Sequence, residues 1–281
     1  MGNQNLWLWS DGNEGKTVRF HLCNTSDSCY TNVKEIADPA LGKSPHAYNF
    51  ALRQGIKIET MTGDRMTSHG LDELRDKILL LGGATESAVH RAIEALTERD
   101  SELAKKVLEQ DAVIDQMELE IDGLSIDILA SLQPTEHDLR FIISVAKITP
   151  ILERIADHAG SIAEAALVLN NEPLVKTFVE FPVMAMTATD MLRTALDAFT
   201  SEDAVLSREI IRRDKEIDDN YHRVFSELLQ LMMLNPSAAK SAAHLLFVAK
   251  HLERIGDYVK DICELNVYLG EAVFIKHSRS V

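Results

Sequence analysis

Residues Leu152–Ala166 read LERIADHAGSIAEAA and residues Leu252–Asn266 read LERIGDYVKDICELN, the same pattern displaced by 100 positions. Upstream, Ala95–Asp115 (ALTERDSELAKKVLEQDAVID) is matched by Ala198–Asp218 (AFTSEDAVLSREIIRRDKEID) at an offset of 103. The second copy is therefore three residues shorter between its middle and last segments, where the turns at Pro134 and Pro236 differ. Two offsets that each stay constant over a long run mark an internal duplication.

Both segments of the repeat have a helical period. Val107, Ile114, Ile121 and Ile128 recur every seven residues with Met117 and Leu124 between them, which makes a seam for neighbouring helices. Ile148, Leu152, Ile155, Ala159, Ile162 and Ala166 alternate spacings of four and three. From about residue 70 onward such stripes predict six helices. Boundaries are marked by Thr135 with Asp138 three residues later, by Pro173 after Asn171, and by Asn235 before Pro236. Pro150 and Pro182 fall inside helical patterns and predict kinks. The expected fold is all-α, two tandem three-helix bundles covering residues 66–171 and 172–281.

Residues 1–65 differ in kind. They hold both tryptophans, two of the three cysteines and six of the 13 glycines, and their acidic and basic residues balance. No sustained helical or strand period runs through them, so a disordered or loosely packed leader is expected. Translation from Met61 or Met66, with the leader an artefact of start-site choice, is the alternative.

The formal charge of −15 therefore falls on the helical part. It disfavours nucleic acid and anionic lipid and favours cations or basic protein surfaces. Cys23, Cys29 and Cys263 form no CxxC pair and no zinc-type cluster, which fits a reducing compartment. Neither a signal peptide nor an apolar run of spanning length is visible, so a cytoplasmic location without membrane insertion is expected.

The chemistry-bearing residues are acids in register with the repeat. Asp111, Asp115, Glu118 and Asp122 lie on one stripe of the second helix, and Glu153, Asp157 and Glu164 lie on one stripe of the third. An antiparallel pairing of these helices would set the stripes side by side. The second copy repeats Asp214 and Asp218, then Glu253, Asp257 and Glu264, but has Tyr221 and Phe225 in place of Glu118 and Asp122. Like charges four apart on a helix repel by a few tenths of a kcal/mol and need solvent or a cation to offset them. A single such pair is ordinarily a solvated face. Matching pairs in a duplicated unit point to divalent metal, and all-oxygen donors suit Mg²⁺, Mn²⁺, Ca²⁺ or iron. The poorer second set predicts a weaker second site. His158, after Asp157, is a candidate imidazole ligand, with Tyr258 at the matching place.

LERIADH and LERIGD each follow a D-x-x-x-D helix. QPTEHDLR (Gln133–Arg140), LLLGG (Leu79–Gly83) and the closing ICELNVYL run join them, and the sequence thereby resembles the PhoU family of phosphate-signalling regulators over about Leu71–Leu269. The resemblance implies two three-helix bundles, a homodimer, and iron- or zinc-type metal clusters. By position, the first cluster would use Asp111, Asp115, Glu153 and Asp157 and the second Asp214, Asp218, Glu253 and Asp257, with Glu118, Asp122, Glu164 and Glu264 as further candidates. It also implies a negative regulator of the phosphate-starvation response, linking the ATPase subunit of a phosphate ABC transporter to a PhoR-type sensor histidine kinase. Ser161 and Asp261 depart from the family's usual Asn at that place.

Two other readings stand beside this one. A carboxylate-bridged metal enzyme in a helical bundle would carry Glu-x-x-His pairs, and no histidine of the helical part has a Glu three residues before it. A metal-free helical adaptor would use the acids only as solvated faces. G-x-S-x-G elbows, P-loops and dinucleotide fingerprints are absent from the sequence, so no catalytic residue is assigned.

Overall fold

The computed structural model describes the backbone of residues 4–8, 20–24, 58–59, 63–131, 134–173 and 180–275, and side chains within 69–130, 134–173 and 180–275. Two compact units emerge, Met1–His69 and Gly70–Val281.

In the first unit, β1 (Gln4–Leu8) pairs antiparallel with β2 (Phe20–Asn24) and parallel with β3 (Ile58–Glu59), in the order β2-β1-β3. These strands lie in a segment whose sequence shows no sustained strand period. Strands of five, five and two residues are too short for an alternating period to stand out in the sequence. The rest of that segment, and with it the expected disorder and the start-site question, lies outside the described residues.

The second unit is helical. Among the described residues it has six α-helices, α1 (Gly63–Thr97), which begins in the first unit, α2 (Ser101–Ser131), α3 (Glu136–Leu169), α4 (Glu180–Ser201), α5 (Ala204–Leu234) and α6 (Ala239–Glu271). A 3₁₀ turn, Pro236–Ala238, joins the last two. Among the described residues no helix is long and apolar enough to cross a membrane.

The helix ends follow from local chemistry. Thr135 caps α3 in a reciprocal capping box with Asp138. The turns before α2 and α5 are copies of one another. Arg99 and Glu202 both take a left-handed backbone, with φ of 58° and 54°. The aspartate that follows each accepts two backbone N–H groups of the next helix, Glu102 and Leu103 onto Asp100, Val205 and Leu206 onto Asp203. Pro150 lies within α3, which runs on past it. Pro182, expected to kink a helix, stands instead in the first turn of α4, where the backbone N–H has no helical partner to lose.

The seam residues are the core. Val107, Ile114, Ile121 and Ile128 are buried, as are their counterparts Ile210, Ile217 and Val224 on α5. So are all six residues of the α3 stripe. α3 packs on α2 and on α6, and α6 also packs on α4 and α5, so the two halves share one apolar core. α3 and α6 run antiparallel: Glu172 at the end of α3 meets Lys240 at the start of α6, His158 meets His251, and Lys147 lies over the Phe274 ring. α1 and α4 also touch. A Cβ at Gly82 would come within 2.2 Å of Leu196 Cδ1, which accounts for a glycine at that place. Asn266 of α6 donates its side-chain amide to the Ala195 carbonyl of α4 at 2.8 Å.

Removing either aspartate cap leaves two backbone donors unsatisfied. Asp100→Ala and Asp203→Ala should each cost about 0.5–2 kcal/mol of stability, read as a lowered urea midpoint. The two losses should add in the double variant, because the caps sit in separate turns.

Candidate functional site

The first carboxylate set lies between α2 and α3. The buried seam of α2 turns Asp111, Asp115, Glu118 and Asp122 to the edge of the α2–α3 contact, and the buried stripe of α3 does the same for Glu153 and Asp157. The antiparallel stripes therefore meet. Glu153 feels the charges of Asp157, Glu118 and Asp115, and Asp111 feels those of Asp115 and Asp157. Burial first, and then these neighbours, push the Glu153 carboxyl up to about 7, opposed by Arg154. The same causes raise Asp111 and Glu118 above the ordinary carboxylate range. Asp122 joins through its repulsion of Glu118. Among the described residues none of these six acids makes an ion pair.

Glu164 lies apart from this set and acts on His251 of α6. His158 likewise turns to α6. Its Nδ1 is 2.9 Å from Nδ1 of His251, and its ring stacks on Tyr258 at 5.5 Å. Burial, His251 and Arg254 hold its imidazole near 4, so it packs between the repeats as a neutral ring.

The second set, between α5 and α6, has the same acids in a different electrostatic setting. Asp214 is buried at 6% exposure, and Asp218 and Asp257 act on it. The Lys260 ammonium donates to Asp214 Oδ2 at 2.8 Å and to Asp257 Oδ1 at 2.9 Å. Glu253 accepts from Lys250 at 2.5 Å, and that ammonium sits 5.2 Å from the centre of the Tyr221 ring. Arg254 reaches Asp257 at 3.4 Å. Desolvation raises the Asp214 carboxyl, and Lys260 opposes it. Glu264 neighbours Cys263, whose thiol is pushed up to about 12 by burial and by Glu264 and Asp214, so it is no nucleophile.

Sequence reasoning missed Lys260, Lys250 and Gly256. The signal was present in the repeat: at the 100-residue offset these positions are Gly160, Pro150 and Ala156.

All-oxygen donors with unbalanced negative charge fit a hard cation at the first set. Preformed coordination is not there: among the described residues no three of His, Cys, Asp and Glu converge as metal ligands. Binding there would draw the carboxylates together against their repulsion.

Comparison with known proteins places these features. The PhoU domain profile matches residues 78–166 and again 181–265, once on each repeat. A phosphate-specific transport system accessory protein PhoU homolog of Pseudomonas putida is 39% identical over 74% of this chain and 81% of its own length. The homolog of Aquifex aeolicus is 34% identical over 74% of this chain and 94% of its own. Crystal structures of PhoU from Pseudomonas aeruginosa and Streptococcus pneumoniae superpose with TM-scores of 0.71 and 0.70, at 37% and 31% identity. They cover 73% and 74% of this chain and 99% and 98% of theirs.

The raised carboxyl of Glu153 sets a pH dependence. Between the ordinary value of 4.5 and about 7 the folded state holds more protons than the unfolded state, so stability falls as pH rises through that window. In EDTA-treated protein, Glu153→Gln should flatten this slope and raise the melting temperature at about pH 8, with little change near pH 4. Thermal melts across pH check it.

Proposed function

This chain belongs to the PhoU family, and from that premise we propose that it is a non-enzymatic negative regulator of the phosphate-starvation response and of phosphate uptake. The observation that carries the reading is the double match, one PhoU domain on each repeat, together with relatives named as accessory proteins of phosphate-specific transport. The chain would work in the cytoplasm as a homodimer at the inner face of the membrane. Its partners would be the ATPase subunit of the phosphate ABC transporter and a PhoR-type sensor histidine kinase, held inactive when phosphate is plentiful. A net charge of −15 supports docking on basic protein surfaces over nucleic acid.

Metal enters the proposal at the acidic motifs, as iron or zinc by family, with Mg²⁺ or Mn²⁺ also compatible with oxygen donors. Asp111, Asp115, Glu153 and Asp157 would hold it at the first set. A bound ion there supplies the positive charge that the set lacks and ties α2 to α3. One rival stands beside it, a helical adaptor whose acids stay solvated, since among the described residues no three of His, Cys, Asp and Glu converge as metal ligands.

Deleting the gene should raise phosphatase and phosphate-transporter expression in high phosphate, and the transporter ATPase and the kinase should be recovered with the tagged protein. Unchanged expression removes the regulator role. Elemental analysis separates the metal reading from the adaptor: Asp111→Asn with Asp115→Asn should lower the metal content of the purified protein, and equal content in both proteins favours the adaptor.

A further inference from the structure

We infer that the second carboxylate set carries its own cation, the Lys260 ammonium, and takes no metal, which leaves the first set as the metal site of this chain. The inference deepens the proposed metal reading and rests on it only for the first set.

The duplication provides an internal control. Asp111 and Asp214 occupy equivalent positions, yet Asp111 is partly exposed and Asp214 is buried. The cause is on the facing helix. A Cβ at Gly256 would come within 2.8 Å of Asp214 Oδ1 and 2.9 Å of Ile217 Cδ1, so glycine lets α6 lie against α5 at this level without displacing those side chains. The first repeat has Ala156 there. Close approach strips water from Asp214, and a carboxylate buried without a partner is costly.

Lys260 supplies the partner. It stands one helical turn beyond Asp257, which lets one ammonium bridge the carboxylates of two helices at 2.8 and 2.9 Å. Asp214 and Asp257 are the residues that would hold a metal at this set. Lys250 pairs with Glu253 on the same helix, and Tyr221 replaces the acid that faces Glu153 in the first set. A metal at the second set would have to expel a half-buried ammonium, putting two positive charges where the geometry accommodates one. The first repeat has no such obstacle, because Gly160 stands where Lys260 would be. Its Cβ position meets Leu108 Cδ2 at 3.8 Å, an ordinary contact, so a Cβ has room there.

The test uses the full chain, stripped with EDTA and dialysed anaerobically against Mn²⁺, Fe²⁺ and Zn²⁺ together, with bound metal measured by plasma mass spectrometry. Asp214→Asn with Asp218→Asn should leave the metal content of the wild type unchanged. Lys260→Met should gain metal, and adding the Asp214 and Asp218 substitutions to it should remove that gain. Gly160→Lys should lose the first-set metal, an independent arm should Lys260→Met fail to fold. Lys260→Arg, which keeps the charge, should gain none. Wild-type metal that falls with the Asp214 and Asp218 substitutions overturns the inference, as does a folded Lys260→Met chain that gains nothing. A metal-free wild type with a metal-binding Lys260→Met supports the inference while removing the first-set reading, so the two failures are distinguishable.

Discussion

The antiparallel contact between α3 and α6 is the constraint that orders the rest. Each of these helices buries one side against the other repeat and another against its own, so only a narrow strip remains for polar residues. Small buried side chains, Ala156, Ala159, Ala163 and Ala166 on α3 and Gly256 on α6, let these helices pack closely on their neighbours, Gly256 against α5. The strip left over holds the E-R-I-x-D motif in each repeat. Its acids have nowhere to point except along the edge shared with α2 or α5, whose own seams turn further acids to the same edge. Carboxylates thus collect where the helices meet as a consequence of how the apolar surface is buried.

Collected carboxylates must be compensated, and the two halves do it differently. Spread over a half-exposed edge, the first set meets the problem by proton uptake, with Glu153 titrating near neutrality. Tighter packing at Gly256 takes that option from the second set, since Asp214 is too buried to rely on solvent. An ammonium built into α6 takes its place, linking Asp214 to Asp257 and so α5 to α6. A few substitutions, Gly160 against Lys260, Pro150 against Lys250 and Ala156 against Gly256, separate one solution from the other on the same backbone.

Much of this was legible in the sequence, because helical order is written in local periods. The duplication, the seven-residue seam, the α3 stripe and the Thr135 capping box all rest on residues close in the chain. The placement of Pro182 was misread because the apolar period continues through the start of α4, where only the hydrogen-bond register distinguishes a first turn from an interior. The short strands of the first unit, with their partners far apart in sequence, left no period to read. Lys260 was overlooked for another reason: a lysine three residues after an aspartate is unremarkable on a helix surface. Its importance comes from Asp214, a residue 46 positions away, whose burial depends on a glycine of the facing helix.

Duplication gives the proposed regulator a structural division of labour. Both repeats keep the motif, since the motif belongs to the packing of α3 and α6, but only one keeps a charge imbalance that an external ion can relieve. A half whose charge is balanced internally would respond less to an added ion, because Lys260 already ties Asp214 of α5 to Asp257 of α6. The other half would have a face whose net charge changes with occupancy by the proposed ion, and long-range electrostatics would carry that change to a partner docked nearby. The two repeats are joined through one core, so the balanced half serves as the fixed frame against which a response in the α2–α3 pair is expressed.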